Sequence, residues 1–201
     1  MQTETRDEMR ERIIEAALKR FTHYSASKTT MNEIADDLHC SKASLYYYFP
    51  DKKALHLSVL EKAGETFFEE LESAAASKNS AYDALMEMIA IRHAFAKRFC
   101  RLELFKTLRD KQILNSEDIF KYARERETQI VANIIRKGVE NGELSTDEPE
   151  KVATLYIQSM IGLRFSMSHN GMSDDISDEE FETVRGWQIM LADIFIKGLK
   201  K

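Results

Sequence analysis

The chain has 201 residues, 43% apolar and 31% charged, which is enough to bury a sizeable core and ordinary for a globular chain of one large or two small domains. A polar, charged start from Gln2 to Arg12 argues against a cleavable secretory signal, and no apolar run approaches the roughly 20 residues of a membrane span, so a cytoplasmic protein is expected. The net charge of −5 opposes general affinity for nucleic acid, but the acids concentrate at the two ends, in Glu4, Asp7, Glu8 and Glu11 and again in Asp174, Asp175, Asp178, Glu179, Glu180 and Glu182.

With two prolines, seven glycines and apolar residues at helical spacing throughout, the chain is expected to be all-α. The most informative segment is Thr29 to Phe49. Thr30 with Glu33 forms a Thr-x-x-Glu capping box, so a helix starts near Met31 and buries Met31, Ile34, Ala35 and Leu38 at i, i+3, i+4, i+7. Ser41 caps a second helix after only Leu38, His39 and Cys40. So short a connection forces the two helices to cross steeply, as in a helix-turn-helix that lays its second helix in the DNA major groove. Lys28, Lys42, Lys52 and Lys53 surround this unit, opposed mainly by Asp51, which reads as a helix cap.

Further along, Asp51 opens a fourth helix running to about Ala76. A fifth spans about Ala81 to Arg98 and a sixth about Cys100 to Leu114. Ser116 opens a seventh, stopped by Asn141-Gly142; Pro149, in a first helical turn, opens an eighth to about Met167; and Ser177-Asp178-Glu179-Glu180 is a capping box for a ninth ending near Leu199, after the loop Ser168 to Asp175. The eighth helix (Val152, Ala153, Tyr156, Ile157, Met160, Ile161, Leu163, Arg164) and the ninth (Val184, Trp187, Leu191, Ile194, Phe195) carry apolar residues on more than one face, whereas a helix buried on one side shows a single stripe. A homodimer surface is therefore expected there, with Tyr156, Ile157, Ile161, Arg164, Val184, Trp187, Leu191 and Phe195 as its members; burial inside the monomer is the competing reading.

The helix-turn-helix, with the tyrosine-rich exit Leu45-Tyr46-Tyr47-Tyr48-Phe49 and the entry Pro50-Asp51-Lys52-Lys53-Ala54-Leu55, resembles the DNA-binding domain of the TetR family of bacterial transcription regulators. Arg12 to Phe21 is similar to that family's first helix, with Ile13, Ala17, Leu18 and Phe21 as its core face. His39 stands where the family usually has a turn glycine; histidine is among the residues enriched at positive φ and can serve there. Ala43 stands where a second glycine often follows, and Tyr48 where a histidine is more common. The resemblance implies a three-helix DNA-binding domain at 1–50 and a helical ligand-binding and dimerisation domain at 51–201, about nine helices in all, with the last two packing against their two-fold mates as a four-helix bundle.

It also implies roles for particular residues. Lys42, Ala43, Ser44 and Tyr46 face base edges and nearby phosphates, Tyr47 and Lys52 reach phosphates, and Thr30 and Ser41 offer hydroxyl or amide contacts. An effector pocket is implied among the fifth to eighth helices, where Met86, Ile89, His93, Phe99, Phe105, Phe120, Tyr156 and Met160 suit a small, largely apolar ligand, although for any one of them a plain structural role is the stronger reading. The expected function is a regulator, a repressor in the commoner case, released by such a ligand from an inverted-repeat operator in double-stranded DNA with half-sites about one helical turn apart. A helical ligand-sensing or protein-interaction module that does not bind DNA is the alternative. No catalytic motif, metal-ligand spacing or cofactor loop appears, so no enzyme activity, metal or cofactor is expected. Cys40 and Cys100 read as small buried apolar residues.

Overall fold

The computed structural model describes residues 5–99, 116–167 and 177–200, with 99, 116–120 and 165–167 described by their backbone alone. Within them lie eight helices and no strand: α1 Arg6–Tyr24, α2 Met31–Asp37, α3 Lys42–Tyr48, α4 Lys52–Ser77, α5 Ala81–Phe99, α6 Ser116–Glu140, α7 Pro149–Met167 and α8 Asp178–Leu199. The last three are the expected seventh, eighth and ninth helices. The expected sixth helix, the loop Ser168 to Asp175, Cys100, Phe105 and the side chains of Phe99 and Phe120 lie outside the described residues. No described helix is long and apolar enough to cross a membrane.

The chain divides into two compact units, the first within Met1–Thr66 and the second within Phe67–Lys97 and Phe105–Lys201. The division falls inside α4 rather than at the expected 50/51, because the first half of that helix belongs to the head. Leu55, Val59 and Ala63 are buried. Ser58 accepts a hydrogen bond from Arg10 at 3.1 Å, and Lys62 meets Glu11 at 3.1 Å.

In the first unit, α1 begins earlier than the apolar pattern indicates, because Thr5 and Glu8 form a capping box: the Thr5 amide donates to the Glu8 carboxylate (2.7 Å) and the Glu8 amide to the Thr5 hydroxyl (3.3 Å). Its buried residues are Ile13, Ile14, Ala17 and Phe21. Ile14 rather than Leu18 completes the core face, and Leu18 is half-buried. Burial of side chains of this size stabilises by about 1.5–3 kcal/mol each, which is what holds so small a unit together.

In the second unit, Leu71, Leu85, Ile89, Val131, Ile135, Ile157, Met160 and Ile196 share one core with neighbours from α4 to α8. Helices α7 and α8 run antiparallel, since Tyr156 meets Phe195 (ring centroids 5.3 Å apart) while Arg164, two turns on, lies over Phe181. Gly142 ends the α6 segment in the left-handed region (φ 78°), where glycine is unstrained. Gly138 is needed for closeness: a Cβ there would lie 2.8 Å from the buried Leu144. Glu143, just past this turn, caps α5 from a distance. Its carboxylate accepts hydrogen bonds from the Ala81 amide (2.7 Å), the Ser80 hydroxyl (3.0 Å) and the Tyr82 amide (3.3 Å).

Candidate nucleic-acid interface

Thr30 is the N-cap of α2. Its hydroxyl accepts from the Glu33 amide at 3.3 Å, and the Glu33 carboxylate accepts from the Thr30 amide (2.7 Å) and hydroxyl (2.8 Å). The backbone hydrogen bond from Thr30, with its hydroxyl, holds the Glu33 carboxyl below its ordinary range. The end of α2 is a Schellman motif. The Cys40 amide bonds to the Ala35 carbonyl (3.0 Å), the His39 amide to the Asp36 carbonyl (3.1 Å), and His39 takes φ 52°. Histidine thus occupies the left-handed position that the sequence assigns to it. Burial pushes the half-buried Cys40 thiol upward, which disfavours its thiolate.

Ser41 caps α3 by accepting from the Ser44 amide at 3.1 Å. Four residues apart, Leu45 and Phe49 turn inward and are buried. Lys42, Ala43, Tyr46 and Tyr47 consequently lie exposed on the opposite face, with Tyr47 66% exposed; Ser44 and Tyr48 are half-buried at the margin. The Lys42 ammonium stands 5.8 Å from the Tyr46 ring centroid. Arg6, at the start of α1, holds its guanidinium 5.4 Å from the Tyr47 ring. Arg6 therefore adds a cation to this face, and nothing in its acidic sequence neighbourhood signals that.

Of the eight proposed DNA-contact residues, Ser41, Lys42, Ala43, Ser44, Tyr46 and Tyr47 lie in α3 or at its cap, and Thr30 is exposed at the N-cap of α2. Lys52 is engaged within the protein itself. Its ammonium donates to the carbonyls of Ala26 (3.0 Å), Thr29 (3.0 Å) and, more distantly, Ser27 (3.4 Å), so its three protons all have acceptors inside the protein. Asp51 does cap α4, accepting from the Ala54 amide at 2.7 Å.

Of the proposed effector contacts, Ile89, Tyr156 and Met160 are buried in the core of the second unit, and Met86 packs half-buried against it. His93 is half-buried, with Nε2 3.1 Å from the Glu182 carboxylate and its ring edge-on to Phe181. Burial pushes the Tyr156 phenol upward, so it stays protonated. Missed by the sequence reading is a pair in the same unit: Arg92 of α5 lies 2.7 Å from Glu127 of α6, whose side chain is 8% exposed. Glu127 sits in a charged run, 124–127, that reads as a solvated face.

The expected dimer residues divide. Tyr156, Ile157 and Val184 are buried inside their own chain, the competing reading for these helices. Ile161, Arg164, Leu191 and Phe195 are half-buried, and Trp187 is exposed. Among the described residues of these two helices, the exposed large apolar side chains are Leu155 on α7, in an open groove that Glu150, Lys151, Thr154 and Gln158 also line, and Trp187, Met190 and Ile194 on one face of α8.

Comparison with known proteins agrees with this architecture. The family model described as "Bacterial regulatory proteins, tetR family" matches residues 13–59. A transcriptional regulator from Cytophaga hutchinsonii, known from its crystal structure, is 31% identical, with 95% of this chain and 98% of that one covered and a TM-score of 0.84. The probable HTH-type transcriptional regulator ArpR of Pseudomonas putida is 26% identical over 79% of this chain and 81% of its own. A putative transcriptional regulator from Saccharomonospora viridis, solved in complex with choline, shares the fold at 20% identity and a TM-score of 0.64, covering 90% of this chain and 96% of that one. The chain belongs to the TetR family of bacterial helix-turn-helix transcriptional regulators.

Proposed function

We propose that the protein is a repressor that holds an inverted-repeat operator as a homodimer and lets go when a small, largely apolar ligand binds in the second unit. The observation that carries this reading is the division of α3: Leu45 and Phe49 fix the helix from below, leaving Lys42, Ala43, Tyr46 and Tyr47 free to meet base edges and phosphates. Lys42 is the specificity-bearing cation, Tyr47 a phosphate donor, and Thr30, Ser41 and Ser44 flank them.

The second copy docks on the apolar strip of Leu155, Trp187, Met190 and Ile194, with Ile161, Arg164, Leu191 and Phe195 at its margin. These side chains are otherwise exposed to water at a cost of about 25 cal/mol per Å². A two-fold partner brings a second α3, which is why the operator is an inverted repeat. The ligand acts by binding better to the arrangement in which the two α3 helices no longer match their half-sites. Ile89, Tyr156, Met160 and Met86 provide apolar contact for it, with His93 nearby, and the Saccharomonospora relative, solved in complex with choline, supports a small-molecule ligand.

A mobility-shift and footprinting titration on the DNA upstream of the protein's own gene, at two salt concentrations, tests this. Salt-dependent, two-fold-symmetric protection is the expected result. A chain that protects no DNA while still binding small ligands or protein partners is the sensing-module alternative instead.

A further inference from the structure

The geometry points to Lys52 as a positioning residue of the helix-turn-helix, a clamp on the loop between α1 and α2, and not as a residue that touches DNA. This rests on the repressor reading above. The loop Ser25–Thr29 is unusual in its backbone. Ser25, the C-cap of α1, has φ 76° and ψ 153°, a region open essentially only to glycine, which a serine occupies only when its surroundings over-determine it.

Those surroundings are visible. The Ser25 amide donates to the Phe21 carbonyl at 2.9 Å, the buried Thr29 hydroxyl donates back to the Ser25 carbonyl at 2.9 Å, and the Lys52 ammonium gathers the carbonyls of Ala26, Ser27 and Thr29. Together these bonds close the loop into a ring whose centre is a single cation from the first turn of α4. A protonated amine facing converging carbonyls makes charge-assisted hydrogen bonds, stronger than neutral ones.

Thr30 follows directly and is the N-cap of α2, so the clamp sets where α2 begins. The connection onward is short and hydrogen-bonded: α2 passes through the Schellman turn at His39 into α3. Lys52 therefore sets the placement of α3 from behind, by way of Thr29 and α2. A displacement of about 1 Å at such a helix is enough to spoil base contacts whose hydrogen bonds tolerate only a few tenths of an ångström.

The test uses the full-length protein, a DNA site selected by the wild type from a random pool, and two variants. Lys52→Met keeps the apolar stem and removes the ammonium. Thr29→Val keeps volume, leaves the Lys52 charge in place and removes one bond of the ring. Affinity is measured over a series of salt concentrations, and amide exchange across residues 25–30 is followed without DNA. A positioning role predicts faster exchange in both variants, and roughly tenfold weaker binding for Lys52→Met with the slope of log K against log[salt] unchanged. A phosphate contact predicts instead a slope lower by about 0.9 for Lys52→Met and no effect of Thr29→Val. Unchanged affinity in folded variants would reduce the clamp to a purely structural feature, and either result overturns the proposal. If Lys52→Met does not fold, Thr29→Val decides alone: slope-preserving weakening supports the clamp and unaltered binding refutes it. A wild type that selects no DNA refutes the repressor reading itself, whatever the exchange data show of the ring.

Discussion

Arg20 and Asp37 are joined by two parallel hydrogen bonds, Nε to Oδ2 at 2.5 Å and Nη2 to Oδ1 at 2.9 Å, which tie the C-terminal part of α1 to the last residue of α2. Glu33 adds a third contact to the same guanidinium at 3.5 Å. The hydrogen bond from Arg20 holds the Asp37 carboxyl below its ordinary range. Because the folded pKa is the lower one, the pair's contribution is complete above the unfolded value of about 3.9 and is lost as pH falls through the folded value. The pair is partly exposed, so Asp37→Asn should cost no more than about 1 kcal/mol near neutral pH and almost nothing in strong acid. Urea titrations of wild type and variant at neutral and acid pH check both the size and the disappearance.

At the turn, His39 adopts φ 52° without the conformational freedom of glycine. His39→Gly should leave stability within a few tenths of a kcal/mol, relief of the left-handed conformation offsetting the entropy of the freer unfolded chain. His39→Ile, branched at Cβ, should lose about 1–2 kcal/mol, read as a lower urea midpoint at unchanged slope. Equal stability of the two variants would mean that the turn is not a Schellman cap in solution.

Lys42→Ala should weaken operator binding by about 1–3 kcal/mol and leave the oligomeric state unchanged. Competition binding on the selected site, with sedimentation as the control, measures both. Undiminished affinity would remove Lys42 from the interface.

The exposed strip on α7 and α8 makes a paired forecast. Ile194→Glu places a charge on the surface proposed to be covered by a second copy, so the protein should stay folded and sediment as a monomer. Ile157→Glu places the same charge in the chain's own core and should unfold it. A dimer undisturbed by Ile194→Glu moves the interface elsewhere.

Glu143 offers a stability test remote from DNA. Burial alone would raise its carboxyl, but hydrogen bonds from the Ala81 amide, the Ser80 hydroxyl and the Tyr82 amide outweigh this and hold it below the ordinary range. Glu143→Ala should cost about 1–2 kcal/mol by stripping the cap from α5, as loss of an N-cap does. The deficit is expected above about pH 4 and should shrink as acid protonates Glu143 in the wild type. Thermal melts across that range decide it.

What the chain's residues disclosed on their own was local chemistry. Thr30 with Glu33, Ser41, Asp51, Pro149 and Ser177 with Glu180 mark helix starts because caps act within three or four residues, and the structure places helices after each. Thr5 with Glu8 is written in the same code, but no apolar stripe follows it until Ile13 to mark it as a helix start. Long-range relations were not legible. Nothing about Lys52 says that its ammonium meets carbonyls some two dozen residues earlier, and nothing about Glu143 says that it caps a helix beginning at Ala81. Apolar residues all round α7 and α8 indicate two buried faces, but which residues the monomer itself buries depends on the angle at which the helices meet, so the burial of Tyr156, Ile157 and Val184 and the exposure of Leu155 and Met190 are not legible in the pattern.

Selection of bound sequences from a random DNA pool by the full-length protein tests the central claim most directly, because it asks at once for activity, symmetry and spacing. Enrichment of an inverted repeat with half-sites about one helical turn apart or modestly more, lost in Lys42→Ala, is the predicted result. A pool that stays unenriched under low salt, where phosphate attraction is strongest, would contradict the assignment of the exposed α3 face to DNA.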